Sequence, residues 1–494
     1  MRFSPASRCL VLLACFVSLA SAQTVTADFG NRNYSSKRVF ANSLGINLAS
    51  LQNTNSISQI KQAGLTQTRK MANIAQIYAT TTANWSSIDW YMKMIAPSGM
   101  HPLIVMSGTP SWLRASPNPC GSGDPQWAAP TDVNKWAQLA ASYVAHFDKV
   151  YPGWVIDYEI WNEPEIQSSF CVSGNTDDLR LSKYLALYAA AASAMKGQAS
   201  RDGATIRIGG PTISILNLAP KWIPALLSNS GTAPYVDFVS FHMYLTGQTD
   251  IQQGMTWNTL YSVTQSATKG ELYYYKKIYN LVRAGSQPNA GHTPIYITEY
   301  NNNWAFMKDC CRNHATYGPL WNTVAIADFL NSMYAGSNIV PRMYYFAGSQ
   351  APYFCITGTY NSAMDCNAST LSPYHQYYAF NLIASPSYLG LSTGAYMATS
   401  VSSANTTSGL LATAFFTTAK DAIVVINPTG TNYSAVQVVA RNPGIASAKG
   451  TSYLLNASNP KITSKSITLG SISGGYSTTV AVPAYSVVAV SVHP

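Results

Sequence analysis

The chain has 494 residues, 47% of them hydrophobic and only 10% charged, with a formal net charge of +10 at pH 7. That length exceeds one ordinary core, so a large domain with a smaller one is expected. The 30 lysines and arginines are scattered, without the basic runs that mark nucleic-acid or membrane-surface binding, so neither partner is expected.

At the N-terminus, Arg2 and Arg8 precede the apolar run Cys9 to Leu19, and Ala20-Ser21-Ala22 supplies small residues for cleavage. This reads as a signal peptide over residues 1–22, with a mature, extracellular chain starting at Gln23. The apolar run is too short to span a membrane. Six of the eight cysteines then remain: Cys120, Cys171, Cys310, Cys311, Cys355 and Cys366. An even number in an exported chain predicts disulfides, with the connectivity open. Sequons stand at Asn33, Asn84, Asn367, Asn405, Asn432 and Asn456.

Residues 23–39 hold a strand-like segment, Thr24–Phe29, that precedes the main domain and is a candidate to join the second one. Over 40–385, apolar strands alternate with helical stretches: Phe40–Asn47, Leu65–Met71, His101–Ser107, Val155–Trp161, Thr205–Gly210, Val236–His242, Pro294–Glu299 and Arg342–Phe346. Helices are expected after Thr131 as N-cap, and around Ser56–Ala63, Ile88–Ile95, Leu181–Gln198, Tyr273–Arg283 and Leu320–Tyr334. This alternation predicts an α/β fold, a (β/α)8 TIM barrel. A doubly wound sheet would call for a glycine-rich phosphate turn after the first strand, which Leu44-Gly45-Ile46-Asn47-Leu48 does not supply. Over 386–494 the helical period fades into short Thr/Val/Ala strands, which predict a C-terminal antiparallel β-sandwich.

In such a barrel the functional groups sit at the C-terminal strand ends. Asn162-Glu163 ends the fourth strand and Thr298-Glu299 the seventh, across the mouth from each other. Two glutamates so placed suit glycoside hydrolysis, one protonating the leaving oxygen and the other meeting the oxocarbenium-like centre. Arg69, ending the second strand, is a candidate to hold Glu299 ionised, or else a structural arginine paired with Glu159. His242 is a candidate to line the sugar site, or a satisfied strand-end histidine. Trp112, Trp304 and Phe346 are candidates to stack on sugar faces, or core fillers. No C-x-x-C or paired histidine spacing supports a metal site, and no metal or organic cofactor is expected.

Ile160-Trp161-Asn162-Glu163-Pro164 resembles the acid/base motif of retaining clan A glycoside hydrolases, and Ile297-Thr298-Glu299-Tyr300 their nucleophile motif. With Ile208-Gly209-Gly210-Pro211 and Asp237 to Tyr244, the chain looks most like glycoside hydrolase family 39, which includes β-xylosidases. The resemblance implies a double displacement with Glu299 as nucleophile and Glu163 as acid/base. It implies that Asn162 bonds the sugar 2-hydroxyl and that Tyr244 contacts the nucleophile. Family members often carry Asn after the motif's proline; Glu165 departs from that and reads as a loop carboxylate. The expected function is a secreted retaining β-glycosidase acting on a β-linked oligosaccharide or polysaccharide, β-xylosidase-like in the first instance. The alternatives are an endo-acting glycanase, another exo-glycosidase of the clan (glucosidase, galactosidase, arabinosidase or glucuronidase) and a non-catalytic carbohydrate-binding protein. Oligomeric state is left open.

Among the cysteines, Cys120 with Cys171 would tie two neighbouring loops. Cys355 with Cys366 would close a small one, or the two would pair crosswise with Cys310 and Cys311.

Overall fold

The computed structural model describes residues 23–30, 32, 40–48, 54–245, 256–285, 293–302, 308–332, 342–346, 359–360, 366–367, 373, 375–403, 409–445, 448–457 and 459–494. After β1 (Gln23–Asp28), eight parallel strands close a barrel in chain order. They are β2 (Leu44–Asn47), β3 (Gln67–Asn73), β4 (His101–Ser107), β5 (Asp157–Ile160), β6 (Arg207–Ile213), β7 (Phe238–Tyr244), β8 (Ile295–Asn301) and β9 (Arg342–Tyr345). The ring shuts where β2 pairs with β9, Leu44 opposite Met343. Around it lie α1 (Thr54–Gln62), α2 (Ile74–Ile77), α3 (Ser86–Ile95), α4 (Val133–Val150), α5 (Asp177–Asp202), α6 (Ala219–Ser228), α7 (Trp257–Thr264), α8 (Glu271–Arg283), α9 (Lys308–Ser332) and α10 (Tyr377–Ala384).

Strand alternation sorts the residues of each barrel strand. On β5, Tyr158 and Ile160 join the core beneath the helices, while Asp157 and Glu159 point inward. The interior is layered. At the bottom, Arg207 and Arg342 grip Asp157 at 2.6–2.8 Å. Above them Leu103, Val105, Phe238, Tyr296 and Tyr344 form an apolar plug, with the Phe238 and Tyr296 rings stacked at 4.3 Å. Gly209 leaves room for the Phe238 ring, which a Cβ there would meet at 2.1 Å. The polar site lies on top of this plug.

All eight predicted strands are present, with ends displaced by a few residues. Asp132, rather than Thr131, caps α4: its carboxylate accepts from the Asn134 and Lys135 amides, while the Thr131 hydroxyl donates to Leu113 O. Helix α6 eluded the helical pattern because Pro224 lies inside it, Pro220 being in the tolerant first turn; its buried face carries Trp222, Ile223, Leu226 and Leu227.

Beyond a ribbon of β10 (Thr359–Tyr360) and β11 (Cys366–Asn367), the C-terminal strands are β12 (Tyr396–Met397), β13 (Ser400–Ser403), β14 (Leu411–Phe416), β15 (Asp421–Asn427) and β16 (Tyr433–Arg441). They continue with β17 (Lys449–Asn456), β18 (Asn459–Ile467), β19 (Gly470–Ile472), β20 (Gly475–Val482) and β21 (Ser486–His493). They form two sheets, β13-β1-β16-β20-β19 and β12-β14-β15-β21-β17-β18. The pairing is antiparallel throughout except for β1, which lies parallel to β16 with Gln23 opposite Val436. Val25, Ala27, Phe416, Ile423, Val425, Val438 and Val490 fill the space between the sheets. The other face of the six-stranded sheet belongs to the barrel core: Val424, Ile426, Val487 and Ala489 join it. Each such buried Val or Ile stabilises by roughly 1.5–3 kcal/mol. No helix among the described residues is long and apolar enough to cross a membrane.

Candidate active site

Arg69 is the hub of the upper layer. It points inward from β3, and each of its three nitrogens is engaged. Nε donates to Glu159 Oε2 at 2.7 Å; Nη1 donates to Glu299 Oε1 at 2.6 Å and to Asn47 Oδ1 at 3.1 Å; Nη2 donates to Asn162 Oδ1 at 2.8 Å. Arg69 thus bonds Glu299 and pairs with Glu159 at the same time.

Glu299 is buried at the top of β8. Its second oxygen accepts the Tyr244 hydroxyl at 2.7 Å. Burial would raise its pKa. The His242 and Arg69 charges and the hydrogen bonds from Tyr244 and Arg69 outweigh burial and hold it below the ordinary value. Tyr244 keeps its proton because burial and the Glu299 charge push its own pKa well up. The β7–β8 register slips between Phe241 and His242, and β8–β9 between Ile297 and Tyr300. Such an irregularity re-aims a side chain at a strand end, and here it turns Glu299 inward while Tyr300 stays against the outer core.

His242 is fully buried between the two glutamates. Its Nδ1 lies 2.8 Å from Glu163 Oε1 and 3.5 Å from Glu299 Oε2, and its Nε2 faces Arg69 Nη2 at 3.5 Å. Burial opposes a charge on this ring, but the two carboxylates prevail over burial and the Arg69 charge, and its pKa is raised. Glu163 remains partly exposed beside it. One ligand atom from each of Glu163, His242 and Glu299 lies within 4.8 Å of the others. Three such groups are a conceivable metal set. Here, though, both Glu299 oxygens are engaged by Arg69 and Tyr244, and a dication would sit beside the fixed Arg69 charge.

The turn carrying Asn162 and Glu163 is strained. Trp161 has φ 68° and Glu163 φ 49°, and Thr212 across from them on β6 has φ 55°. Side chains rarely adopt this left-handed region, which costs of order 1–2 kcal/mol per residue. Trp161 offsets part of it by burying its ring against Trp136 and Phe170 and donating Nε1 to Ser169 O at 2.6 Å. The adjoining loops are stitched by the Cys120–Cys171 disulfide, and by backbone bonds from Ala129 N to Cys171 O and from Cys171 N to Trp127 O. Closing a loop across a separation of 51 residues is worth about 4 kcal/mol through chain entropy.

Thus the fold brings Arg69, Asn162, Glu163, His242, Tyr244 and Glu299 together. Phe346 stands edge-on to Tyr244 at 6.2 Å. Trp112 sits apart on the rim after β4, 40% exposed, with its Nε1 donating to Tyr78 O. Trp304 and the side chains of Cys310, Cys311, Cys355 and Cys366 lie outside the described residues. Sequence reasoning missed three contributors. Asn47, a polar end to an apolar strand, links Arg69 to the Thr298 carbonyl. Met71, two residues past Arg69 and so on the same inward face, is 37% exposed at the mouth. Glu165 lies in the turn after β5, as a loop carboxylate should, but it is buried at 1% exposure, which its sequence context did not show.

An eight-stranded parallel barrel with two carboxylates facing each other over its C-terminal rim defines a barrel of the glycoside-hydrolase type. The chain belongs to glycosyl hydrolases family 39, whose family profile matches residues 24–346. It is 25% identical over 229 residues to a β-xylosidase of Geobacillus stearothermophilus (45% of this chain, 42% of that protein). It is 27% identical over 223 residues to a β-xylosidase of Caldicellulosiruptor saccharolyticus (44% and 40%). The chain thus spans less than half the length of these curated relatives. Among solved structures, it superposes on a GH39 β-xylosidase from Caulobacter crescentus with a TM-score of 0.64 at 16% identity, covering 96% of this chain and 100% of that one. For a GH30 endoxylanase from Clostridium papyrosolvens C71 the TM-score is 0.63 at 15% identity, covering 95% and 100%.

Proposed function

We propose that the protein is an exported retaining β-glycosidase with β-xylosidase-like specificity. The observation that carries this reading is a pair of closely spaced carboxylates in unlike settings. Glu299 is buried and held ionised, while Glu163 is partly exposed and reaches His242. One oxygen of each lies within 4.8 Å of the other, in keeping with the separation of about 5–5.5 Å that double displacement uses rather than the wider spacing of an inverting pair. Glu299 attacks the anomeric carbon as the glycosidic C–O bond breaks, and Glu163 passes its proton to the departing oxygen. Glu163 then takes a proton from the water that displaces Glu299. With Glu163 protonated for the first step, the ionised Glu299 carboxylate, held by Arg69 and Tyr244, is the charge that meets the oxocarbenium-like centre. Asn162 spends its oxygen on Arg69, which leaves its amide N–H groups for the sugar 2-hydroxyl.

The xylose preference draws on the names of the two curated relatives. Export draws on the N-terminal segment and on the Cys120–Cys171 disulfide, which suits an oxidising compartment. The test is an aryl β-glycoside panel with wild type, E163A and E299A. Wild type should turn over the xyloside best. Azide should restore E163A and yield a β-glycosyl azide, and E299A should stay inactive. A wild type silent on every aryl and natural glycan would end this reading.

Endo action is the second reading, favoured by the exposed apolar side chains of Met71, near the end of β3, and of Trp112 and Ile215, which follow β4 and β6. Early release of long oligomers from xylan, rather than xylose from xylobiose, would establish it.

A further inference from the structure

Glu163 lies beyond the reach of its own strand ladder. The β5–β6 pairing ends at Glu159 opposite Gly209, and the acid/base turn runs on for several residues without a strand partner on that side. Side chains hold it there instead. The Thr212 hydroxyl reaches Trp161 O at 3.3 Å. Glu165 Oε1 accepts the Ser214 amide at 2.6 Å, the Ile215 amide at 2.9 Å and the Ser214 hydroxyl at 3.1 Å. Arg180 steadies the same turn by donating Nε to Glu165 O at 3.0 Å. The span so tied contains three of the six non-glycine residues with left-handed backbone among the described residues, Trp161, Glu163 and Thr212. A conformation of that kind persists only where its surroundings over-determine it.

We infer that Glu165 is a positioning residue for Glu163, its buried carboxylate fastening the acid/base turn to the exit of β6 so that the proton donor meets the departing oxygen. The inference rests on the acid/base role proposed for Glu163. Glu165 itself is buried and touches no substrate; it acts through the backbone. Its carboxyl is pushed up to about 7 by burial and by the Glu163 charge, against the pull of the Ile215 and Ser214 amides. A group that is costly to bury is thus retained where its acceptor oxygen is used three times.

The role predicts a selective defect, because a misplaced acid matters only when the leaving group needs a proton. E165A and E165M, the latter filling the space without an acceptor, are compared with E165Q, which keeps one. With a 2,4-dinitrophenyl glycoside, all three should stay within about threefold of wild type in kcat/KM. With an alkyl glycoside or a disaccharide, E165A and E165M should fall about 30- to 100-fold, chiefly in kcat, and E165Q should recover most of the loss. If E165A and E165M do not fold, S214A carries the comparison; it removes only the hydroxyl bond and should show the same selectivity at about threefold. Equal losses on both kinds of leaving group, or no loss on either, would overturn the inference while leaving the acid/base role intact. Activity of E163A on poor leaving groups at the wild-type rate would sink both.

Discussion

At the residue scale, Arg69 sets the charge state of the site. Its guanidinium pKa is raised despite burial because Glu159 and Glu299 surround it, so it is a fixed cation at any working pH. Glu299 is depressed in return. A carboxylate with a lowered folded pKa contributes stability that is fully present above the unfolded value of about 4.3, and is lost as pH falls through the folded value. Arg69→Met leaves Glu159 and Glu299 buried without their cation. It should destabilise by about 3–5 kcal/mol and lower kcat about a hundredfold or more. Tyr244→Phe removes one hydrogen bond to a charged oxygen; it should cost about 1.5–3 kcal/mol of stability, less than Arg69→Met, and lower kcat about tenfold or more. In both variants the acid limb of the kcat/KM profile should move to higher pH, because Glu299 loses a partner that favours its ionised form. A limb that stays in place would show that some other group is responsible for it.

At the element scale, the packing of α8 on α9 carries an unexpected load. Glu271, in the first turn of α8, and Asp328, on α9, are both buried. Neither Glu271 oxygen has a hydrogen-bond partner among the described residues, nor do the nearby Tyr275 and Tyr300 hydroxyls; Asp328 accepts from Gln265 Nε2 at 2.8 Å. Burial, then the Asp328 charge, pushes Glu271 well up; burial alone raises Asp328 to about 7, against the Gln265 hydrogen bond. Here the sign is opposite to that of Glu299. Raised folded values mean that these acids cost nothing below the unfolded value of about 4, and that stability falls as pH rises toward 7. The pair E271Q/D328N should therefore raise the melting temperature at pH 8 by several degrees and flatten its fall between about pH 5 and 8. A slope identical to wild type would assign the pH dependence elsewhere.

At the scale of the whole molecule, the sandwich takes strands from both ends of the chain. β1 enters before the barrel and lies between β13 and β16, and the six-stranded sheet lends one face to the barrel core. Trp257 Nε1 donates to Pro428 O at 2.6 Å, and Asn331 joins Ala412 O at 2.9 Å and the Thr413 hydroxyl at 2.8 Å across the same junction. A fragment of residues 40–385 should accordingly aggregate, because it exposes apolar helix surface that the sheet covers; a soluble, cooperatively melting fragment would show that the barrel closes its core unaided. Much of this was legible in the sequence. Continuous apolar runs at barrel spacing gave the eight strands, and carboxylates at the ends of the fourth and seventh gave the two facing glutamates. Local chemistry suffices for these, since a strand's period and its end are written in consecutive residues. Helix α6 was hidden because its internal Pro224 contradicts the local preference that tertiary packing overrides. The engagement of Arg69 with four side chains at once was also hidden, because Asn47, Glu159, Asn162 and Glu299 lie far apart in the chain and meet only when the barrel closes. So was the burial of Glu165, which next to Pro164 reads as an exposed turn and becomes internal only because β6 exits beside it. The sequence alone singled out the two glutamates for which acid and base chemistry is proposed. The tertiary structure decided their charge states, because desolvation and opposing charge depend on neighbours that no stretch of chain contains.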